Sequence, residues 1–213
     1  MISNRAEELI RSIEELKKTH VRTLVERRVS EFKELGEGES REIFKELCFC
    51  ILCANYSAER SIKIQKQIND GFLTLSKQQL VEKLKELGHR FPKTRAEYIV
   101  SARKYSDSIK RIIKESENSK ELRNWLVENI HGIGMKEASH FLRNIGYTDL
   151  AILDFHILDL LTKYRIIEKP KRLTKSIYLQ IEKELRRIAE LADLNMAELD
   201  LYLWYMETGK VLK

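Results

Sequence analysis

Two prolines in 213 residues, and no stretch that alternates apolar and polar side chains over a strand's length, exclude a β-rich fold and leave helices as the only regular element. No apolar run approaches the ~20 residues needed to cross a bilayer, and no signal peptide is present. An intracellular, cytoplasmic location is therefore expected. Internal repeats and low-complexity linkers are also missing. Cysteine is sparse: Cys48, Cys50 and Cys53 sit in LCFCILCA, an apolar helical pattern in which buried thiols are common. Their C-x-C-x-x-C spacing could ligate a metal, but no fourth ligand lies nearby. The reading is core packing, no metal site, and a reducing compartment.

What is present is charge and helical periodicity. Asp, Glu, Lys and Arg make up 34 % of the chain, with 39 basic against 33 acidic residues, a formal net charge of +6. That excess draws a polyanion only weakly. The charge density suits the ion-pair networks of heat-adapted proteins and is equally common in helical proteins that are not. Glu7 to Val29 carries apolar residues at helical spacing, and Gly36 with Gly38 marks a break. Ser40 can cap the cysteine-bearing helix and Ser57 the next, and Ser76 with Gln79 forms a capping box. Pro92 suits the first turn of a helix predicted to run to about Ile113. Thr174 starts another, and Asn195 caps a last helix ending near Gly209. The expected fold is all-α: two helical subdomains flanking a cleft.

The most informative segment runs from His131 to Gly146. Gly132 and Gly134, in HGIGMK, separate one apolar helix pattern (Leu122, Trp125, Leu126, Ile130) from another (Ala138, Phe141, Leu142, Ile145). Glycine permits positive φ and close backbone approach, and N–H groups at the start of a helix bind anions. A hairpin between two helices, stapled inward by Ile133 and gripping a DNA phosphate, fits this pattern, as does an ordinary helix–helix turn. Lys136 falls in the first turn of the second helix, where the macrodipole disfavours a cation. A lysine destabilised as a cation is easier to deprotonate, and the neutral amine can attack a carbon electrophile. Lys136 is therefore the candidate nucleophile, the alternative being a phosphate-contacting or solvated lysine. Eighteen residues on, the apolar run Leu150 to Leu153 delivers Asp154, which can cap a helix over Phe155 to Lys163 and serve the lysine as well. His140, one turn after Lys136, could contact substrate from the same face or be structural. His131 and His156 read as structural, and Lys93 and Arg95 as phosphate contacts or solvated.

The stretches IHGIGMKEASHFLRNIG (130–146) and LAILDFHILDLL (150–161) resemble the helix-hairpin-helix DNA glycosylases. Within these, the wording KEASHFLRNIG, the short length and the final lysine resemble the archaeal-type 8-oxoguanine DNA glycosylase/lyases. The resemblance covers nearly the whole chain as one domain, residues 1–213, with the hairpin motif at about 119–146, and implies that the N- and C-terminal parts pack together. It implies a bifunctional, monomeric prokaryotic enzyme, an N-glycosylase and apurinic-site lyase acting on double-stranded DNA that contains 8-oxoguanine. Lys136 matches the Schiff-base lysine and Asp154 the assisting acid. Phe91, Trp204 and the terminal Lys213 match groups that hold the extruded base, the terminus helping to tell 8-oxoguanine, with its N7 hydrogen, from guanine. Val211 and Leu212 give that tail something to bury. By the same analogy Asn55, in the abrupt polar turn CANYSAE, faces the DNA near the vacated base position. No cofactor is required, although a monovalent cation at the hairpin carbonyls is compatible with the resemblance. Two other readings stay open. A non-enzymatic hairpin module would leave Lys136 and Asp154 unexplained, and a glycosylase for oxidised pyrimidines would usually carry a cysteine cluster after the aspartate, which this chain lacks.

Overall fold

The structure, a computed structural model, describes residues 4–213, with side chains from residue 6 onward. Among the described residues every regular element is helical. The chain divides into two compact units. One, the hairpin unit, is Lys33–Ile145; the other, the terminal unit, joins the residues up to Phe32 with Gly146–Lys213.

The periodic stretch from Glu7 to Val29 is two helices, α1 (Asn4–Lys17) and α2 (Val21–Glu37). Thr19 makes the break, its hydroxyl donating to the Leu16 carbonyl at 2.8 Å and accepting from the Val21 N–H at 3.2 Å. A short hydroxyl side chain that bonds adjacent backbone ends one helix and starts the next. Gly36 lies inside α2, not at a break. A β-carbon there would fall 2.1 Å from the Ile145 carbonyl oxygen, so this glycine is explained by close approach of two backbones.

The hairpin unit is built around α3 (Ser40–Cys53), in which every residue from Ile43 to Cys53 is buried. A helix buried on all sides must be wrapped by others. It is wrapped by α4 (Ala58–Ile68), α5 (Gly71–Thr74), α7 (Pro92–Ala102), α8 (Ile109–Glu115) and α10 (Met135–Asn144). Helix α6 (Lys77–Glu86) packs on α7, and α9 (Ser119–Asn129) on α10. Ser57 and Ser76 cap α4 and α6 as expected, the latter with Gln79 in a capping box. Ser40, by contrast, is already the first helical residue of α3, and the N-cap is Glu39. The helix from Pro92 stops at Ala102 and passes through a 3-10 turn, Arg103–Tyr105, before α8. Ser106, Asp107 and Ser108 occupy the gap, residues whose side chains compete with helical backbone bonds.

Burial on α3 includes charge. Lys45, 8 % exposed, reaches Glu42 at 2.6 Å, Asp70 at 3.1 Å and the Asn69 side-chain oxygen at 2.9 Å. Glu46 accepts from Gln65 at 3.0 Å and from Asn144, at the end of α10, at 2.6 Å, while the Asn144 oxygen accepts from Arg143. The three cysteines are buried, and burial raises the Cys48 thiol well above its ordinary range, which makes it unreactive. No group of three or more metal-ligating side chains forms among the described residues.

In the terminal unit α1 packs against α12 (Lys175–Leu191) and α13 (Met196–Thr208), and α11 (Phe155–Lys163) against α13. Lys17 donates to the Ala192 carbonyl at 2.8 Å, and the Ser12 and Tyr164 hydroxyls lie 3.2 Å apart. Thr174 and Asn195 cap α12 and α13, and Gly209 closes α13 with φ +69°.

Replacing Asn144 by alanine removes a donor from the buried Glu46 carboxylate, so urea unfolding of Asn144→Ala is expected to show about 2 kcal/mol of lost stability, the scale of a buried group left short of a partner. An unchanged urea midpoint would show that the carboxylate does not depend on α10.

Candidate active site

Helix α9 gives way at Ile130, whose carbonyl accepts from the Ile133 N–H at 3.2 Å, closing the turn between α9 and α10. Gly132 takes φ +83°, and a β-carbon on it would lie 2.3 Å from the Tyr98 ring. Both conformation and space therefore require glycine here. Gly134 differs from the expectation, because its φ −99° and ψ −173° are ordinary extended values. Its N–H donates to Glu137 Oε2 at 3.3 Å, and a β-carbon would come equally close to that oxygen. Ile133 points inward, 5 % exposed. Arg123 of α9 donates to the Ser139 hydroxyl of α10 at 3.2 Å, pinning the two arms of the hairpin.

Lys136 is the second residue of α10 and only partly exposed, its side chain at 23 %. Its Nζ lies 3.6 Å from Glu137 Oε1. One carboxylate thus touches the hairpin backbone with one oxygen and the lysine with the other. First-turn N–H groups of a helix have no intrahelical acceptor, so the start of α10 offers donors to an anion beside a primary amine.

In the terminal unit Leu150 to Leu153 is buried and irregular, with no strand among the described residues to pair with. Side chains of α12 replace the missing strand: Glu182 accepts from the Ala151 N–H at 2.9 Å, while the Tyr178 hydroxyl donates to the Ala151 carbonyl at 2.6 Å and accepts from the Leu153 N–H at 3.3 Å. Buried backbone must be satisfied, and this arrangement fixes the segment that presents Asp154. Asp154 is the N-cap of α11, its Oδ1 accepting from the Ile157 N–H at 2.9 Å. One carboxylate oxygen is used by the cap.

A family model for 8-oxoguanine DNA glycosylases matches residues 25–194. The 8-oxoguanine DNA glycosylase/AP lyase of Methanocaldococcus jannaschii is 55 % identical over 206 residues, covering 96 % of this chain and 99 % of that protein. The one from Thermotoga maritima is 47 % identical over 209 residues, covering 97 % and 100 %. The chain belongs to the 8-oxoguanine DNA glycosylase family. Its fold is similar to a crystal structure of the M. jannaschii 8-oxoguanine glycosylase/lyase in complex with a 15mer DNA containing 8-oxoguanine, with a TM-score of 0.94 over 97 % of this chain and 100 % of that one. The crystal structure of the T. maritima 8-oxoguanine DNA glycosylase gives 0.91, covering 98 % and 100 %.

The positions singled out by family resemblance fall in both units. Phe91, half-buried, is the N-cap residue of α7. Asn55 is exposed and takes φ +56°, a left-handed conformation that asparagine tolerates. His140 is 6 % exposed with its ring edge-on to Phe49 at 5.6 Å. Its ring packs on α3, as the structural reading of this histidine has it. In the terminal unit Trp204 meets the edge of His156 at 5.0 Å, and His156 lies 4.0 Å from Phe155, which is 66 % exposed. The Trp204 indole N–H is buried with no hydrogen-bond partner among the described residues. Val211, Leu212 and Lys213 are each half-buried.

Sequence reading missed the groups that hold these positions. Arg95 is neither solvated nor at a surface for phosphate: it is 6 % exposed, donates to the Ala54 carbonyl just before Asn55, and lies 5.5 Å from the Phe91 ring and 5.9 Å from the Tyr98 ring. Burial lowers its affinity for its proton. Lys93 is exposed. His89, 4 % exposed, has its proton affinity lowered chiefly by burial, so its contribution to stability is present above pH ~6.5, the ordinary value, and is lost as pH falls below it. Gly132→Ala is expected to cost about 1–3 kcal/mol in urea unfolding and to weaken duplex binding, read by filter retention; full binding would free the hairpin from any need of glycine.

Proposed function

We propose that the protein removes 8-oxoguanine from double-stranded DNA through an imine formed by Lys136 and then nicks the strand at the apurinic site. The observation that carries this reading is Lys136 in the first turn of α10, directly after the Gly132 turn. It is supported by relatives at 47–55 % identity over nearly their full lengths that are named 8-oxoguanine DNA glycosylase/AP lyase.

Chemistry on a base buried in duplex requires extrusion of the nucleotide, at a cost of a few kcal/mol. Hairpin N–H groups hold a phosphate during this step, and Asn55 faces the DNA near the position vacated. The family resemblance gives Phe91 and Trp204 the holding of the extruded base, and Lys213 the reading of the edge that carries the N7 hydrogen. The neutral Lys136 amine attacks C1′, and the C1′–N9 pair leaves with the base, which takes up a proton. Transfer of a proton from nitrogen to O4′, with opening of the C1′–O4′ bond, gives the protonated imine and a free 4′ hydroxyl. Removal of a C2′ proton then expels the 3′ phosphate, which is β-elimination. Asp154 stabilises positive charge developing at the sugar and helps to activate the lysine. The sequence needs no redox cofactor or divalent metal. A monovalent cation at the hairpin carbonyls is compatible with the family resemblance.

Borohydride trapping on duplexes containing 8-oxoguanine, thymine glycol or no lesion tests the assignment. The wild type is expected to form an adduct on 8-oxoguanine, and Lys136→Gln none with binding retained; adducts from Lys136→Gln would remove the nucleophile, and adducts mainly on thymine glycol would move the substrate class. Asp154→Asn preserves an N-cap and is expected to slow single-turnover excision by roughly a hundredfold with little loss of stability. An unchanged rate would leave Asp154 as a cap alone.

A further inference from the structure

Two residues before Phe91, His89 is wired on both sides of its ring. Its Nδ1 lies 3.0 Å from the Phe91 N–H, and its Nε2 lies 3.1 Å from the Leu52 carbonyl oxygen. A backbone N–H can only donate and a carbonyl can only accept, so Nδ1 must be bare and Nε2 must carry the proton. Tyr56 covers the ring at 4.2 Å, and its hydroxyl donates to the Gly88 carbonyl at 2.9 Å. The imidazole therefore straps the start of α7 to the last turn of α3, and its two bonds leave it one tautomer.

We propose that His89 is the positioning residue for Phe91, setting the aromatic face against which the extruded 8-oxoguanine is read. The proposal rests on the base-holding role given to Phe91 above. Phe91 sits at the N-cap of α7 with φ −128° and ψ +58°, and makes no side-chain cap bond of its own. Its backbone N–H is held by His89, and Pro92, the residue after it, has no N–H to share. Arg90 and Arg95 lie 4.9 Å and 5.5 Å from the Phe91 ring, so the ring's orientation is bounded by two cations while its backbone anchor is the histidine. Losing the anchor would swing the ring without touching Lys136.

The two bonds of His89 can be separated by substitution. Asparagine places an amide oxygen where Nδ1 accepts from Phe91, and glutamine places an amide nitrogen where Nε2 donates to Leu52. Single-turnover excision from an 8-oxoguanine duplex reads base recognition, and borohydride trapping on a duplex with a preformed abasic site reads the lysine with no base to hold. His89→Gln is expected to lose about tenfold or more in excision, the scale of a buried N–H left without its acceptor, with abasic-site trapping little changed. His89→Asn is expected to recover most of the excision. Equal losses in both assays, or a His89→Asn no better than His89→Gln, would mean a structural histidine and overturn the proposal. Should His89→Gln fail to fold, the comparison of the two assays in His89→Asn decides, and lost excision with full trapping there overturns it. Phe91→Ala separates the layers. If it excises normally, the base-holding reading falls and the proposal with it; if it is impaired while His89→Gln is not, the His89 assignment alone is wrong.

Discussion

The hairpin unit depends on one buried cation. Arg95 donates to the Ala54 carbonyl, and its guanidinium faces the rings of Phe91 and Tyr98. Those contacts join the turn that carries Asn55, the start of α7 and, through Tyr98, the glycine turn of the hairpin, because Gly132 has the Tyr98 ring where a side chain would be. Burying a guanidinium costs free energy unless its protons are used and its charge is compensated. Electrons of two aromatic faces and one carbonyl dipole supply part of that compensation, and the Tyr98 and Glu137 side chains add attraction. A lysine could not reproduce the planar fit between two rings.

The terminal unit solves a different problem by similar means. Leu150 to Leu153 is too apolar to stay in water and has no strand to pair with, so its backbone is bonded by Tyr178 and Glu182 of α12. Side chains that bond backbone in a dry environment specify a single register, since a slip by one residue leaves a buried N–H or carbonyl unpaired. Asp154 emerges at the end of this fixed segment and is held again by the Ile157 N–H. Its position is set from both sides before any substrate contact is considered. Buried charge on α3 follows the same rule, with Lys45 and Glu46 each given several partners.

Placing the candidate catalytic groups at helix starts has a physical consequence in each unit. Lys136 and Asp154 each occupy the first positions of a helix, α10 and the cap of α11. A carboxylate there is stabilised by the macrodipole and a cation is not. Glu137 offsets the unfavourable position of the lysine, at 3.6 Å, while bonding the hairpin at Gly134.

The all-helical class, the caps Ser57, Ser76, Thr174 and Asn195, the inward Ile133 and the span of α11 were legible in the sequence, because capping and periodicity are local and repeat every turn. So was the need for glycine at residue 132, although its partner Tyr98 lies 34 positions earlier and only the fold brings it there. Local signals failed where the competing influence was distant or ambiguous: Thr19 splitting α1 from α2, Gly36 meeting the Ile145 carbonyl, and α7 ending at Ala102. Arg95 read as a surface group because charge is the usual mark of exposure. Tertiary structure alone decided that it is buried, and that the Phe91 N–H bonds His89, since a side chain's burial depends on which remote elements cover it and no spacing along the chain encodes that. The sequence by itself nominated the candidates for the chemistry, because residue type is local; the packing decided which neighbours hold them in place.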